Sequence, residues 1–414
     1  MSRTTIDGVT MDKTIFARMR EQYLHLHAHP ELSMAEQATA EYIEAALDDL
    51  GIPFFRCGGT GVVGILENVG AGDGPVVAFR ADTDALPIAE ATGLEYASTA
   101  TGTLPDGTEV PVMHGCGHDM HTAVLLGVAA AMNADRDSWA GTLVLIFQPG
   151  EETAAGARAM LEDGLWTRAP RPQVVFGQHV FPDPLGSVQV PRSTAMAMAD
   201  SLRITLHGKQ THGSQPQRGV DPVLLGAHLV TRLQGIVSRE TDPLDPAVVT
   251  VGTFHAGLKE NIIPDRAELT VNVRTMSPPT RDTVLSAINR MVAAEAAASN
   301  APEADVEVFN SFPQCVNHPE QAARVCQVLA GEFGEGAKLV DTPIMGSEDA
   351  GQLWDSIGVP GVYWFVGVSD PQEEAPAMNH SPYFAPQLDG GLDACTRAAL
   401  AVLTDWLAPG QVDA

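Results

Sequence analysis

The chain has 414 residues, with 24 Lys and Arg set against 52 Asp and Glu, a formal net charge of -28. So acidic a chain excludes nucleic acid and anionic membrane as partners, and its length suggests roughly two or three domains with a sizeable core. Five scattered cysteines, Cys57, Cys116, Cys315, Cys326 and Cys395, have no framework spacing, so structural disulfides are not expected.

The first residues, Met1-Ser2-Arg3-Thr4-Thr5, lead into a polar segment with no apolar signal core. The longest apolar stretch, 123–132, is too short and too Ala-rich to span a bilayer. The expected address is the cytoplasm.

In chain order, residues 12–27 read as one helix and 34–50 as another. The second has a capping box from Ser33 to Glu36, an apolar stripe of Tyr42, Ile43, Ala46, Leu47 and Leu50, and Gly51 as its stop. Strand-like runs at 61–67 and 75–80 flank the turn Gly70-Ala71-Gly72-Asp73-Gly74, which predicts a hairpin. Gly59-Thr60-Gly61-Val62-Val63-Gly64 matches a dinucleotide fingerprint, with Asp82 at about the distance of a ribose ligand. Those glycines lead into a β-branched strand rather than a helix, so no helix N-terminus meets a pyrophosphate, and the nucleotide reading is set aside. Strands and helices then alternate, as in an α/β sheet covered on both faces.

Two short stretches concentrate metal-competent groups: His114-Gly115-Cys116-Gly117-His118-Asp119-Met120-His121 and Gln148-Pro149-Gly150-Glu151-Glu152. Cys116 and His118 are two apart, which suits a glycine-bearing loop better than a helix. The apolar residues after Asp119 read as a buried helix, so the ligands would sit at its N-terminal mouth. Thiolate and imidazole suit zinc, while carboxylate widens the choice to manganese, cobalt or nickel. His114 and His121 could equally be structural or support the ligands.

Glu151 and Glu152 follow Thr142-Leu143-Val144-Leu145-Ile146-Phe147, the kind of run that forms a buried parallel strand. Carboxylates beyond such a strand's C-terminal end lie where open α/β sheets place their sites. Adjacent residues of extended chain point opposite ways, so the two glutamates have different jobs, one on metal and one as general base. His179 ends the run Val174-Val175-Phe176-Gly177, and His380 lies in the turn-like Asn379-His380-Ser381-Pro382. Neither identifies a metal site alone.

From 201 the order is strand (201–206), helix (221–240), strand (247–254), strand (267–275), helix (278–299), strand (306–309). This is βαββαβ, the split arrangement of a ferredoxin-like α+β domain. It is placed at 194–309 as an insertion. Residues 1–193 and 310–414 then form a discontinuous catalytic α/β domain with a mixed sheet covered by helices.

Taken together these motifs resemble the metal-dependent amidohydrolases that include hippurate hydrolase, bacterial N-acyl-amino-acid aminoacylases and plant auxin-conjugate hydrolases. The resemblance begins at His29-Pro30-Glu31-Leu32 and continues through Phe79-Arg80-Ala81-Asp82-Thr83-Asp84-Ala85-Leu86-Pro87, both clusters and Gly177-Gln178-His179. It extends through His212-Gly213, Asn261-Ile262-Ile263-Pro264-Asp265, Gly346-Ser347-Glu348-Asp349 and His380-Ser381-Pro382.

The resemblance implies that Cys116, His118, Glu152, His179 and His380 hold two divalent metal ions, zinc or manganese with cobalt or nickel as further options. It implies Glu151 as general base and a di-metal exopeptidase-like fold. Asp82 falls where related metallopeptidases carry an acidic residue that orients a metal-binding histidine, although Arg80 stands where those relatives have the histidine itself. The inserted domain is implied to make a homodimer or higher oligomer and to carry His212, a donor to the oxyanion. Asn261 and Arg274 would grip the substrate carboxylate. Ala350 replaces a frequent aromatic and Lys209-Gln210-Thr211 a commoner glycine pair, which leaves the acyl and side-chain pockets unspecified.

The expected activity is hydrolysis of N-acyl amino acids to a carboxylic acid and a free amino acid by a metal-activated water, with Glu151 taking its proton. A metal-dependent dipeptidase or carboxypeptidase would use the same chemistry on a free α-amine. A non-catalytic ligand-binding relative would bind without product.

Overall fold

In the computed structural model residues 4–6, 9–68 and 74–410 are described. The chain folds into two compact units. Met1–Ala195, Val316–Thr342 and Asp349–Ala414 make the first, and Met196–Cys315 with Pro343–Glu348 the second.

The first unit is built on an eight-stranded mixed sheet. Its strands are β1 (Phe54–Cys57), β2 (Gly61–Asn68), β3 (Val76–Asp82), β4 (Gly141–Gln148), β5 (Val174–Pro184), β6 (Val188–Pro191), β7 (Ala337–Val340) and β8 (Gly361–Ser369), in the spatial order β7-β6-β8-β5-β3-β4-β2-β1. Every residue of β4 and of β8 is buried. Alternate residues of a strand face opposite ways, so the sheet is covered on both faces at these strands.

The expected hairpin is not formed. β2 pairs antiparallel with β1 and β4, whereas β3 pairs parallel with β4 and β5. The continuously apolar β4 needs a partner on each edge, and it lies between the two runs that sequence order joins. Residues 69–73 of the expected turn lie outside the described residues.

Helix α1 (Lys13–Ala28) starts at Asp12, whose side chain accepts from the amides of Thr14 and Ile15. Helix α2 (Gln37–Asp49) begins later than the capping box predicts, and Glu36 precedes it without a side-chain cap. Ser33 Oγ instead donates to Asp84 at 2.6 Å, and Glu36 is fully buried as an acceptor for other segments. Helix α3 (His118–Ala134) is buried at nearly every position because it runs through the core with α1 and the helix Leu388–Trp406. Each buried Leu, Val or Met here contributes about 1.5–3 kcal/mol relative to exposure.

β3, β4 and β5 are mutually parallel, so their C-terminal ends open on one side. α3 begins there as well.

The second unit has a four-stranded antiparallel sheet of Met198–His207, Ala247–Ala256, Arg266–Thr275 and Asp305–Phe312, with helices Pro222–Leu233 and Pro278–Ala298. The order along the chain is βαββαβ. Its core joins Leu202, Ile204 and Leu206 to Leu225, Leu229, Leu269 and Ile288.

Candidate metal centre

The loop before α3 turns sharply at Gly117, whose φ is +88°. A Cβ there would lie 2.4 Å from Val180 Cγ2, so only glycine lets the loop approach β5 so closely. The turn brings Cys116 Sγ to 3.4 Å from His179 Nε2. His118 becomes the first residue of α3.

Two imidazoles are fixed in one tautomer by oxygen acceptors. His118 Nδ1–H donates to the backbone oxygen of Asp84 at 2.9 Å and to its Oδ1 at 3.1 Å. His179 Nδ1–H donates to Val180 O at 2.7 Å. In both rings the lone pair is therefore on Nε2. His118 Nε2 is buried without a hydrogen-bond partner, as is Glu152 Oε1, and the two atoms are 3.9 Å apart. His380 Nε2 is 3.3 Å from the same glutamate oxygen. The structure thus brings Cys116, His118, Glu152, His179 and His380 together.

His380 is placed by its backbone. Its φ is +67°, its amide donates to Gly115 O at 2.7 Å, and the neighbouring Asn379 Nδ2 donates to Cys116 O and Val180 O. These contacts hold a left-handed residue that would otherwise relax.

Electrostatics fit a bound dication. Burial, then Glu152, Glu151 and Asp82, push the Cys116 thiol well above its ordinary range, so a local positive charge is needed to keep it a thiolate. Burial, then His121, holds His179 well below the usual histidine value, which leaves it neutral. For His118 burial opposes the charge, but Asp82 and Asp84 outweigh it and raise the ring to about 10, so its surroundings favour a positive charge at this position. Buried thiolate, imidazole and carboxylate with unsatisfied donors suit a borderline-soft divalent metal.

Asp82 is buried beneath this set. Its Oδ2 accepts from Arg80 at 2.7 Å and lies 3.6 Å from His118 Nε2, and its Oδ1 meets His121 Nδ1 at 2.5 Å. Burial alone would raise its carboxyl, but Arg80, then His118 and His121, hold it well below the usual carboxylate range. Although His121 lies close to Asp82, His118 and His179, both its nitrogens are committed. Nδ1 binds Asp82, and Nε2 accepts from the Val180 amide at 2.9 Å. It is a strut beside the ligands. His114 is buried with both ring nitrogens unpartnered, and burial pushes it down to about 4.

The carboxylate that holds His118 is Asp84, which the sequence reading did not single out. Its Oδ2 also accepts from Ser33 Oγ and from the Glu152 amide at 3.0 Å. The spacing offered a signal, since positions 82 and 84 of an extended segment face the same way. His179 lies inside β5 rather than at its end. The strand continues to Pro184 because β8 pairs with it beyond the end of β3.

Glu151 is buried in the turn that follows β4. His212, Asn261 and Arg274 belong to the second unit. There the exposed His212 Nδ1 accepts from the Ser214 amide, leaving the proton on Nε2, and the Gly213 amide donates to Asn261 O. Arg274 donates to Asn272 Oδ1 and Ser347 Oγ. The glycine-rich 59–64 run enters β2, so no helix follows it.

The family model described as Peptidase family M20/M25/M40 matches residues 78–405. The chain belongs to this family. M20 relatives include an N-acetylcysteine deacetylase of Bacillus subtilis, 35% identical over 87% of this chain and 91% of that one. An IAA-amino acid hydrolase of Arabidopsis thaliana is 34% identical over 87% of this chain and 80% of that one. Thermostable carboxypeptidase 1 of Saccharolobus solfataricus is 34% identical over 91% and 93%. Among solved structures the Bacillus subtilis YXEP protein, described as a dinuclear metal binding peptidase of the M20 family, matches with a TM-score of 0.74. It is 30% identical over 96% of this chain and 99% of that one. The protein is a metal-dependent amide hydrolase with the M20 α/β fold. Among the described residues no helix is long and apolar enough to cross a membrane.

Proposed function

We propose that the protein hydrolyses the amide bond of N-acyl amino acids, releasing a carboxylic acid and a free amino acid. The observation that carries this reading is the pair of tautomer-fixed histidines, whose Nε2 atoms face the Cys116 thiol and the Glu152 carboxylate beside a buried Glu151. The relatives named as deacetylase and amino acid hydrolase support the substrate class.

Cys116, His118, Glu152, His179 and His380 would hold two divalent ions, zinc or manganese, with cobalt or nickel as substitutes. When bound, such ions polarise the scissile carbonyl and lower the pKa of water. Glu151 takes the proton of the attacking water and delivers it to the leaving amine. His212, with its proton on Nε2, donates to the oxyanion. Asn261 and Arg274 grip the substrate carboxylate, which supplies local positive charge in a chain of net charge -28. Asp84 keeps the ligand His118 oriented, and Asp82, behind the ligands, holds the strut His121. The second unit makes a homodimer or higher oligomer, and the cytoplasm is the working compartment.

The test is amine release from a panel of N-acetyl, N-benzoyl, long-chain and indole-acetyl amino acids, using apo protein reloaded with each metal. Metal-dependent release is expected. Release from free dipeptides but not from their N-acylated forms would favour the carboxypeptidase or dipeptidase reading that the Saccharolobus relative raises. Binding without product would leave a ligand-binding protein.

A further inference from the structure

The sequence pattern makes Glu36 half of a helix cap, and the structure gives it a different task. Its side chain is fully buried and collects donors from three separate segments. Oε1 accepts from the Met34 amide and from the Gly150 amide, each at 2.8 Å, and Oε2 accepts from Thr60 Oγ1 at 2.5 Å.

Both amides on Oε1 belong to left-handed residues. Met34 has φ +62° and Gly150 φ +54°. They are also in close contact, since a Cβ on Gly150 would lie 2.5 Å from Met34 Sδ. A methionine held in this region costs about 1–2 kcal/mol, and such residues persist only where their surroundings fix them. Burial, then the charge of Asp84, pushes the Glu36 carboxyl up to about 7, so the group is costly where it stands. Nothing in its own helix uses it.

Gly150 is the residue before Glu151. The turn that presents Glu151 and Glu152 is anchored at the Gly150 amide by Glu36, at the Glu152 amide by Asp84, and at the Ala157 amide by Asp349. Asp84 is tied to Ser33 and Glu36 to Met34, so both of the first two anchors run back to the Ser33–Met34 corner.

We propose that Glu36 is a positioning residue for Glu151, setting the direction of the base by clamping the Met34 and Gly150 amides on one oxygen. The proposal rests on Glu151 being the general base. Reach matters here rather than charge. Glutamine keeps Oε1 in place, while aspartate keeps the charge but is one methylene too short to serve all three donors.

The experiment measures kcat and KM for an N-acetyl amino acid that the protein hydrolyses, with melting temperature and metal content of each variant. Glu36→Asp should lower kcat about tenfold with KM within about twofold and full metal content. Glu36→Gln should restore kcat to within about twofold. In a Glu151→Gln background Glu36→Asp should cost nothing further, because it acts through the missing group. If the aspartate variant fails to fold, Thr60→Val, which removes one donor only, should still lower kcat about threefold at unchanged KM. Parental kcat in Glu36→Asp or in a needed Thr60→Val, or an undiminished tenfold loss in the Glu151→Gln background, overturns the proposal alone. Parental turnover in Glu151→Gln itself overturns the base assignment and the proposal with it.

Discussion

Replacing Asp84 by Asn separates orientation from electron donation at His118. The ring's Nδ1–H has two acceptors, the Asp84 backbone oxygen at 2.9 Å and its carboxylate at 3.1 Å. Asparagine has one side-chain oxygen, and with it turned to Ser33 and the Glu152 amide its NH2 faces His118 Nδ1–H, so the second acceptor is lost with its charge-assisted bond, worth about 1.5–3 kcal/mol, while the backbone oxygen still holds the ring. At about 1.4 kcal/mol per decade this is a loss of about 10- to 100-fold in metal affinity, the range typical of partners behind a metal ligand. The Asn side-chain oxygen can still accept from Ser33 and the Glu152 amide, so the fold should survive. The assay is competition of the apo protein against a chelator of known affinity, with circular dichroism to confirm folding. Affinity within about threefold of the parent, in a folded variant, would refute the claim that Asp84 makes His118 a better donor.

His27 predicts a pH dependence of stability. The ring is 1% exposed, between Asp119 at 2.7 Å and Glu90 at 3.2 Å; burial opposes its charge, but these two carboxylates raise it from 6.5 to about 9. A raised pKa stabilises the fold fully below 6.5, and that contribution, about 3 kcal/mol from the shift, is lost as pH rises through 9. Urea unfolding at pH 6 and pH 10 should show it, and His27→Gln should flatten the difference; an equal slope in both proteins counts against the ion triad. Cys116→Ser should abolish the sulfur-to-metal charge-transfer absorption of the cobalt-loaded protein, and a persisting band would remove Cys116 from the ligand set. Gly117→Ala forces a Cβ to 2.4 Å from Val180 Cγ2 at φ +88°, so it should cost about 2–4 kcal/mol in urea unfolding. A loss under about 1 kcal/mol would show that the loop can shift.

Much of the centre was legible because its chemistry is clustered in sequence. Cys116 with His118 and Glu151 with Glu152 announce themselves by residue type and by the apolar runs beside them. His179 and His380 were not legible by pattern, since one lies mid-strand and the other depends on a left-handed turn clamped by Gly115 and Asn379. The βαββαβ order of the second unit followed from alternating periodicities, which are local. The hairpin failed because pairing is non-local: β2 and β3 are neighbours in sequence, but β4 separates them. The capping box failed for a similar reason, as Ser33 and Glu36 were drawn to Asp84 and Gly150, residues 51 and 114 positions away.

The direction of the two imidazoles is set in part by peptide oxygens, Asp84 O for His118 and Val180 O for His179. A peptide carbonyl survives every side-chain substitution. Mutational drift in the surrounding pocket can therefore reshape which acyl group or amino acid is accepted while the donor atoms keep pointing at the same place. For an engineer, the pocket walls and the reactive centre of this protein are separable parts.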